Sequence, residues 1–169
     1  MPLYHTFDPV WDERSRILIL GSFPSVRSRE EGFYYGHPRN RFWPLIANLT
    51  GSPLPHDIEE KRALLLRNQI ALWDVCAACE VDGSSDASIR RAAANDLTPI
   101  LSGAPIEAIF TNGQTAHRLY CRMIEPVCRI GAVCLPSTSP ANAAWSLDRL
   151  CDEWRNTINS DIIFGGNKS

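Results

Sequence analysis

The sequence predicts an α/β protein: a three-layer α/β/α sandwich with a central four-stranded parallel sheet. Four short, uninterrupted apolar runs indicate buried strands, because they are too short for typical helices. These runs cover residues 16–20, 69–73, 106–110 and 132–135. Helical patterns separate them, and strands that alternate with helices form a parallel sheet that is covered on both faces.

The helices are predicted from caps and periodicity. Asp57, followed three residues later by Glu60, can cap one helix. Shorter helices are expected over residues 95–102 and 115–123. Ser146 is the expected N-cap of the last helix, which has the clearest apolar face. The residues of that face are Leu147, Leu150, Cys151, Trp154 and Ile158.

Composition narrows the class of protein. A chain of 169 residues is expected to form one domain. It contains no apolar run of the ~20 residues that span a membrane and opens with no signal-peptide pattern, so we expect a cytoplasmic protein. Its six cysteines are then expected to be mostly reduced. The net charge of −2 argues against a protein that coats nucleic acid with a broad basic surface, although a local basic footprint remains possible.

Small and polar residues follow each of the four predicted strands. Residues 21–25 follow the first, Asp74 the second, Asn112 the third and residues 137–142 the fourth. Because the carboxyl ends of parallel strands share one edge of the sheet, these segments are expected to form a common ligand site.

Two of these segments resemble known motifs. GSFPS at residues 21–25 and FYYGHPRNRFW at 33–43 resemble the first motif region of the hypoxanthine-DNA glycosylases, a branch of the uracil-DNA glycosylase superfamily. LPSTSPAN at residues 135–142 resembles the second motif loop of that superfamily. The resemblance implies a uracil-DNA glycosylase-like fold and an enzyme of base excision repair that removes hypoxanthine from DNA. One glycosylase-like domain is expected over residues 1–163, and the terminal residues 164–169 are expected to form a flexible C-terminal tail.

Two residues of the first motif are candidates for catalysis. Hydrolysis of an N-glycosidic bond needs an aimed water and hydrogen-bond donors more than a strong nucleophile. By resemblance, Asn40 positions that water, because a carboxamide both donates and accepts hydrogen bonds. Asn40 could instead cap the helix that follows it. His37 is the second candidate, for which a structural or phosphate-binding role is equally open.

The residues after the first three strands are candidates for binding the base. Asp74 ends a strand where uracil-specific relatives use Asn, and an ionised carboxylate only accepts hydrogen bonds. It could therefore accept from N1–H of hypoxanthine and reject adenine, whose N1 is itself an acceptor. A helix cap or a structural hydrogen bond is the alternative. The other candidates are Gly21 and Ser22 through their backbone, Phe23 by stacking or else as core packing, and Asn112.

Contacts to the DNA backbone are expected from both motifs. Hydroxyls and backbone N–H groups of a stiff, proline-flanked loop can bind phosphates, and the edge of this loop would enter the minor groove. A solvated turn is the alternative reading of the same loop. The predicted DNA-binding residues are Ser25, Arg39, Ser137, Thr138, Ser139, Ala141 and Asn142.

No cofactor is expected. Cys76 and Cys79 form a CxxC pair, but a tetrahedral metal site needs two more ligands, and Cys121 and Cys128 are not a matching close pair. Neither motif contains a lysine for a Schiff-base lyase step, which favours a monofunctional, water-driven enzyme. The expected partner is double-stranded DNA containing a damaged base, bound by a monomer and without a membrane.

Three rival functions share these features. A relative of the same fold could prefer uracil or mismatched thymine. A non-catalytic binder of nucleotides or DNA could use the same rim and aromatics without releasing a base. A hydrolase of free nucleosides would keep the chemistry without the duplex, and strong salt dependence of duplex affinity would count against it.

Overall fold

The fold is built around a twisted parallel sheet. A computed structural model describes residues 2–80 and 89–161. The sheet has the strand order β3-β2-β6-β7, with every neighbouring pair parallel. Its strands are β2 (Ile17–Gly21), β3 (Ile70–Asp74), β6 (Ala108–Asn112) and β7 (Ala132–Leu135). The predicted four-stranded parallel sheet is confirmed, with strand ends that differ from the apolar runs by up to two residues.

Helices cover both faces of this sheet. They are α1 (Val26–Glu31), α2 (Phe42–Thr50), α3 (Ile58–Arg67), α4 (Thr98–Gly103), α5 (Gln114–Met123), α6 (Glu125–Cys128) and α7 (Leu147–Asp161). Alternate residues of β2 point into two separate cores: Ile17 and Ile19 into one, Leu18 and Leu20 into the other. A sheet that is buried on both faces is the middle layer of the predicted sandwich.

The predicted caps are present. The Asp57 carboxylate accepts from the backbone N–H of Glu60 at 2.7 Å, and the Ser146 hydroxyl accepts from the backbone N–H of Arg149 at 3.1 Å. On α7, Leu150, Cys151, Trp154 and Ile158 are buried, whereas Leu147 is 36% exposed. None of the helices within residues 2–80 and 89–161 is long and apolar enough to cross a bilayer.

A second, antiparallel sheet was not predicted from the sequence. It has the order β1-β4-β5 and consists of β1 (Leu3–Tyr4), β4 (Cys76–Glu80) and β5 (Arg90–Ala94). β1 has only two residues, and the Arg-Arg-Ala-Ala-Ala sequence of β5 has low strand propensity. Neither strand therefore shows the apolar alternation that marks a strand in a sequence. The predicted tail, residues 164–169, lies outside the described residues.

The second sheet brings the N-terminal segment to the end of β3. Val10 pairs with Leu72 in an isolated antiparallel bridge, and the backbone N–H of His5 donates to the carbonyl of Ala77 at 2.7 Å. Asp74 lies between these two anchors, where the chain passes from one sheet to the other. Residues near the start of the chain are thereby placed beside the predicted site.

Candidate functional site

An open cleft of about 1100 Å³ lies at the carboxyl ends of the parallel strands. The loops after β2, β3, β6 and β7 all contribute to its walls. Every residue predicted for the site lines this cleft except Arg39, which is exposed to solvent outside it. The structure thus brings together two motifs that are about a hundred residues apart in the chain.

Asp74 forms a buried pair with His5 in this cleft. Nε2 of His5 lies 2.8 Å from Oδ2 of Asp74, and the two side chains are 3% and 4% exposed. Asp74 is the last residue of β3 and pairs in register with Gly21, the last residue of β2. A Cβ atom on Gly21 would stand 2.4 Å from Oδ1 of Asp74, so the carboxylate occupies the space that this glycine leaves.

A chain of hydrogen bonds joins the first motif to the second through Thr138. The Thr138 hydroxyl donates to Oδ1 of Asn40 at 2.9 Å and accepts from Nδ2 of Asn112 at 3.0 Å. Oδ1 of Asn40 also accepts from the backbone N–H of Phe42 at 2.9 Å, in the first turn of α2. These two bonds fix the orientation of the Asn40 amide. Asn40 therefore has the helix-capping contact, and Nδ2 receives no hydrogen-bond partner from the described part of the chain.

The amide of Asn112 is fully engaged. Nδ2 donates to Thr138 and to the hydroxyl of Tyr35 at 3.1 Å, while Oδ1 accepts from the backbone N–H of Thr138 at 3.0 Å. Asn112 was predicted to bind the base, but its donors are already used inside the protein. Thr138 was predicted to contact DNA, yet it is completely buried. Both residues hold the wall of the cleft in place.

Tyr35 forms part of the floor beside this network. Its ring stacks on Phe42 with 4.2 Å between centroids, and its backbone φ of 53° lies in the left-handed region that side chains rarely adopt. Its hydroxyl stands 2.8 Å from the position that a Cβ on Gly21 would take. Unfavourable backbone conformations of this kind cluster at functional sites.

Arg41 fastens the second motif loop. Its guanidinium donates to the carbonyls of Ser139 at 2.7 Å, Asn142 at 3.0 Å and Trp145, and more weakly to that of Thr138 at 3.4 Å. The backbone N–H of Arg41 also donates to the Thr138 carbonyl, at 3.1 Å. The Arg41 guanidinium therefore binds within the protein.

The second motif loop is ordered by its own polar groups as well. The hydroxyls of Ser137 and Ser139 accept from the backbone N–H groups of Ser139 and Ala141, each at 3.1 Å, and Nδ2 of Asn142 donates to the Ser137 carbonyl at 3.0 Å. Ala141 is exposed at the edge of the loop. A rigid loop with an exposed small residue is suited to pressing against a nucleic-acid groove.

Phe23 is the aromatic side chain of the first motif that remains accessible in the cleft. It lies edge-on to His5, with 6.3 Å between ring centroids, and the guanidinium of Arg29 lies 5.7 Å from its centroid on one face. Nε of Arg29 is buried and has no hydrogen-bond acceptor among the described residues. This places an aromatic surface beside a guanidinium whose Nε has no acceptor in the described part of the chain.

Phe33 and Tyr34, two other aromatic residues of the first motif, belong to the core. Both are nearly completely buried, and the hydroxyl of Tyr34 donates to the carbonyl of Asp8 at 2.8 Å. Burial, followed by the charge of Asp74, raises the pKa of Tyr34 far above its ordinary value. The phenol therefore stays neutral beside the Asp74 carboxylate.

His37 and Ser25 line the outer part of the cleft. His37 is exposed, and its Nδ1 accepts from the backbone N–H of Arg39 at 3.0 Å. Ser25 is the N-cap of α1, where its hydroxyl accepts from the backbone N–H of Ser28 at 3.2 Å. Ser22 is buried, and its carbonyl accepts from the backbone N–H of Cys76.

The CxxC cysteines belong to the second sheet. Cys76 and Cys79 are buried residues of β4. Within residues 2–80 and 89–161 no group of three or more His, Cys, Asp or Glu side chains is placed to hold a metal ion.

Sequence reasoning missed His5 and the role of Arg41. The partners of each are distant in the chain, by 69 residues for His5 and by about a hundred for Arg41. No local pattern signals a contact of this kind. The one available hint was that both residues are polar and lie next to aromatic side chains.

Comparisons with known proteins agree with this geometry. The family model of the Uracil DNA glycosylase superfamily matches residues 9–162. A Methanosarcina acetivorans protein named hypoxanthine DNA glycosylase is 37% identical over 153 residues, which is 88% of this chain and 93% of that protein. A protein of the same name from Methanosarcina barkeri is 37% identical over 125 residues, which is 73% of this chain and 76% of that protein.

A solved structure shows the same fold. It is the solution NMR structure of a candidate uracil DNA glycosylase from Methanosarcina acetivorans. Its TM-score is 0.77 at 35% sequence identity, and the match covers 91% of this chain and 95% of that one.

Proposed function

This chain belongs to the Uracil DNA glycosylase superfamily, and we propose that it is a monofunctional DNA glycosylase that releases hypoxanthine from DNA. The observation that carries this proposal is the buried carboxylate of Asp74, which lines the cleft between the two motif loops. The two Methanosarcina relatives named hypoxanthine DNA glycosylase support the choice of base.

Base selection follows from the acceptor character of Asp74. Enzymes that act on a base in a duplex extrude the nucleotide and read its Watson–Crick edge in a pocket. Hypoxanthine presents an N1–H donor, which a carboxylate can accept. Adenine presents an acceptor, and two unpaired acceptors facing each other in a buried site cost about 1–3 kcal/mol. Asp74 would therefore favour the deaminated base over the normal one.

Asn40 is proposed to hold the attacking water. Its Oδ1 is fixed by Thr138 and Phe42, which leaves Nδ2 to donate to a water oxygen at the inner wall of the cleft. Such a donor orients a lone pair of the water without placing a charge beside the sugar. His37 is at the outer rim and is proposed to act there, on the approach of the DNA strand.

The remaining residues are proposed to hold the nucleotide and the strand. Phe23 offers a face for stacking, which contributes about 1–3 kcal/mol per base. The second motif loop would contact the backbone through Ser137, Ser139 and Asn142, with Ala141 at the groove. No lysine lines the described cleft, which supports hydrolysis by water over a lyase step. Because one chain supplies the whole cleft, a monomer acting on double-stranded DNA is proposed.

Uracil is the second candidate substrate. Its N3–H is also a donor between two carbonyl groups, so Asp74 by itself does not separate uracil from hypoxanthine. The size of the base would then decide, because a purine fills more of the cleft than a pyrimidine does.

The test is single-turnover base release from duplexes that carry one hypoxanthine, uracil, xanthine or G·T mismatch. We expect hypoxanthine release by the wild type and a loss of about 10²-fold or more in Asn40→Ala, the range for removing one aimed polar group. Asn156→Ala, on the exposed face of α7, is the matched control and should keep the wild-type rate.

Asp74→Asn tests the base reading separately. Its amide can donate to N1 of adenine, so the ratio of hypoxanthine to adenine release should fall by about 5- to 150-fold, as about 1–3 kcal/mol implies. Asp148→Asn, an exposed carboxylate of α7, is the control. If uracil alone were released, the substrate would be uracil rather than hypoxanthine. Tight duplex binding without release of any base would overturn the enzymatic proposal.

A further inference from the structure

The His5–Asp74 pair is isolated from solvent by aromatic rings. Phe7 lies 4.5 Å from His5 between ring centroids, Tyr34 lies 6.0 Å away and Phe23 lies 6.3 Å away. The hydrogen bond between Nε2 of His5 and Oδ2 of Asp74 is 2.8 Å long. Because the pair is buried in the wall of the cleft, it limits which polar atoms of Asp74 a ligand can reach.

The pair gives the two carboxylate oxygens of Asp74 different tasks. Oδ2 accepts from His5, whereas no hydrogen bond from residues 2–80 or 89–161 reaches Oδ1. Oδ1 lies against Gly21, on the wall that the first motif forms. We infer that His5 is a positioning residue for base selection: it holds Asp74 so that Oδ1 alone is presented to the base. This inference rests on the proposed function of Asp74 in reading the base edge.

The hydrogen bond also fixes which oxygen of Asp74 the base meets. A carboxylate offers only lone pairs, so Nε2 of His5 is the donor in its contact with Oδ2. The lone pairs of Oδ1 are then the ones left to accept from N1–H of the base, and the preference for such a base depends on the orientation that His5 gives to the carboxylate.

The neighbouring titratable groups do not supply the hydrogen bond that His5 makes to Asp74. Among the described residues, the facing titratable groups are the phenols of Tyr34 and Tyr35, and the guanidinium of Arg29 lies 5.7 Å from the ring centroid of Phe23. Tyr34 donates its hydrogen to the carbonyl of Asp8. Removing the His5 side chain should therefore deprive the Asp74 carboxylate of this hydrogen bond.

The test compares affinity for two duplexes that cannot be hydrolysed. One carries 2′-fluoro-deoxyinosine and the other carries 2′-fluoro-deoxyadenosine at the same position, and binding is measured by fluorescence anisotropy. We expect the wild type to prefer the inosine duplex. His5→Phe keeps a ring among the aromatics but has no donor, and it should lower this preference about tenfold, the usual effect of removing a buried hydrogen bond to a charged group.

The amide variants separate positioning from packing. In His5→Gln the side-chain nitrogen can reach the place of Nε2, so the preference should be largely restored. His5→Asn carries the same amide on a shorter side chain and should behave like His5→Phe. This pair also keeps the test valid if His5→Phe does not fold. His56→Gln, at an exposed position outside the cleft, is the control.

The outcomes distinguish this inference from the proposed function. Loss of preference in His5→Phe and His5→Asn with recovery in His5→Gln supports it. An unchanged preference in His5→Phe or His5→Asn overturns it, as would equal loss in all three variants, which would show a purely structural role. No preference in the wild type also overturns it. Base release by the wild type from ordinary duplexes, measured in parallel, decides the proposed function independently.

Discussion

Replacing Arg41 should loosen the second motif loop and destabilise the protein. In Arg41→Met, the carbonyls of Ser139, Asn142 and Trp145 lose a charged donor. The contact to Thr138 at 3.4 Å is too long to add much. Hydrogen bonds to charged groups contribute about 1.5–3 kcal/mol each, but these carbonyls lie in a half-buried loop and can bind water instead. We therefore expect a loss of about 2–4 kcal/mol in the free energy of unfolding.

Arg41→Lys should fall between the wild type and Arg41→Met, because an ammonium group keeps the charge without the planar fork. The measurements are urea denaturation and hydrogen exchange of the amides of residues 137–145. Exchange in that loop should accelerate more than exchange in the parallel sheet, and base release should fall with it. Arg39→Met is the matched control, since Arg39 belongs to the same motif and is exposed. Arg41→Met could instead change the free energy of unfolding by less than about 0.5 kcal/mol and leave hydrogen exchange in the loop unaltered. The hydrogen bonds from Arg41 would then not be the reason that the loop is ordered.

Three further changes test other parts of the cleft. In Gly21→Ala the new Cβ would stand 2.4 Å from Oδ1 of Asp74 and 2.8 Å from the hydroxyl of Tyr35. The carboxylate should be displaced, and base release should slow by about 10²-fold. A wild-type rate in this variant would show that the position of the carboxylate is not critical. Arg29→Gln should weaken duplex binding and reduce the slope of log affinity against log salt by about 0.9 if the Arg29 guanidinium, whose Nε has no acceptor among the described residues, contacts a phosphate. An unchanged slope would show that Arg29 does not contact the DNA backbone. Partial desolvation raises the pKa of the exposed Cys121 thiol, which lowers its thiolate fraction at pH 8, so iodoacetamide should modify it more slowly than a free cysteine peptide. Equal rates for protein and peptide would contradict that shift.

The sequence was sufficient for the parts of the fold that have local signals. Uninterrupted apolar runs and helix caps located the four strands of the parallel sheet and the helices that begin at Asp57 and Ser146. The convergence of loops at the carboxyl ends followed from the parallel arrangement alone. The antiparallel sheet had no such signal, because one of its strands has two residues and another is rich in Arg and Ala.

The sequence predicted which residues would line the cleft but not which hydrogen-bond partners they would have. Asp74 could be placed at a strand end, but nothing in its neighbourhood indicated that His5 would meet it. Thr138 and Asn112 looked like ligand contacts because both are polar and follow predicted strands. They proved to satisfy each other, and only the folded chain shows which polar groups remain for a ligand.

The clamp formed by Arg41 has a consequence for synthesis of the chain. Its carbonyl partners lie 97 to 104 residues later, so the ring of contacts closes over more than half of the sequence. Chains emerge from the ribosome with the N-terminal part first, and long-range contacts form slowly because a large loop must close. The Arg41 guanidinium must therefore wait for its carbonyl partners until the loop before α7 has been made. A nascent chain released early would hold Asp74 and the first motif without the loop that forms the opposite wall of the cleft.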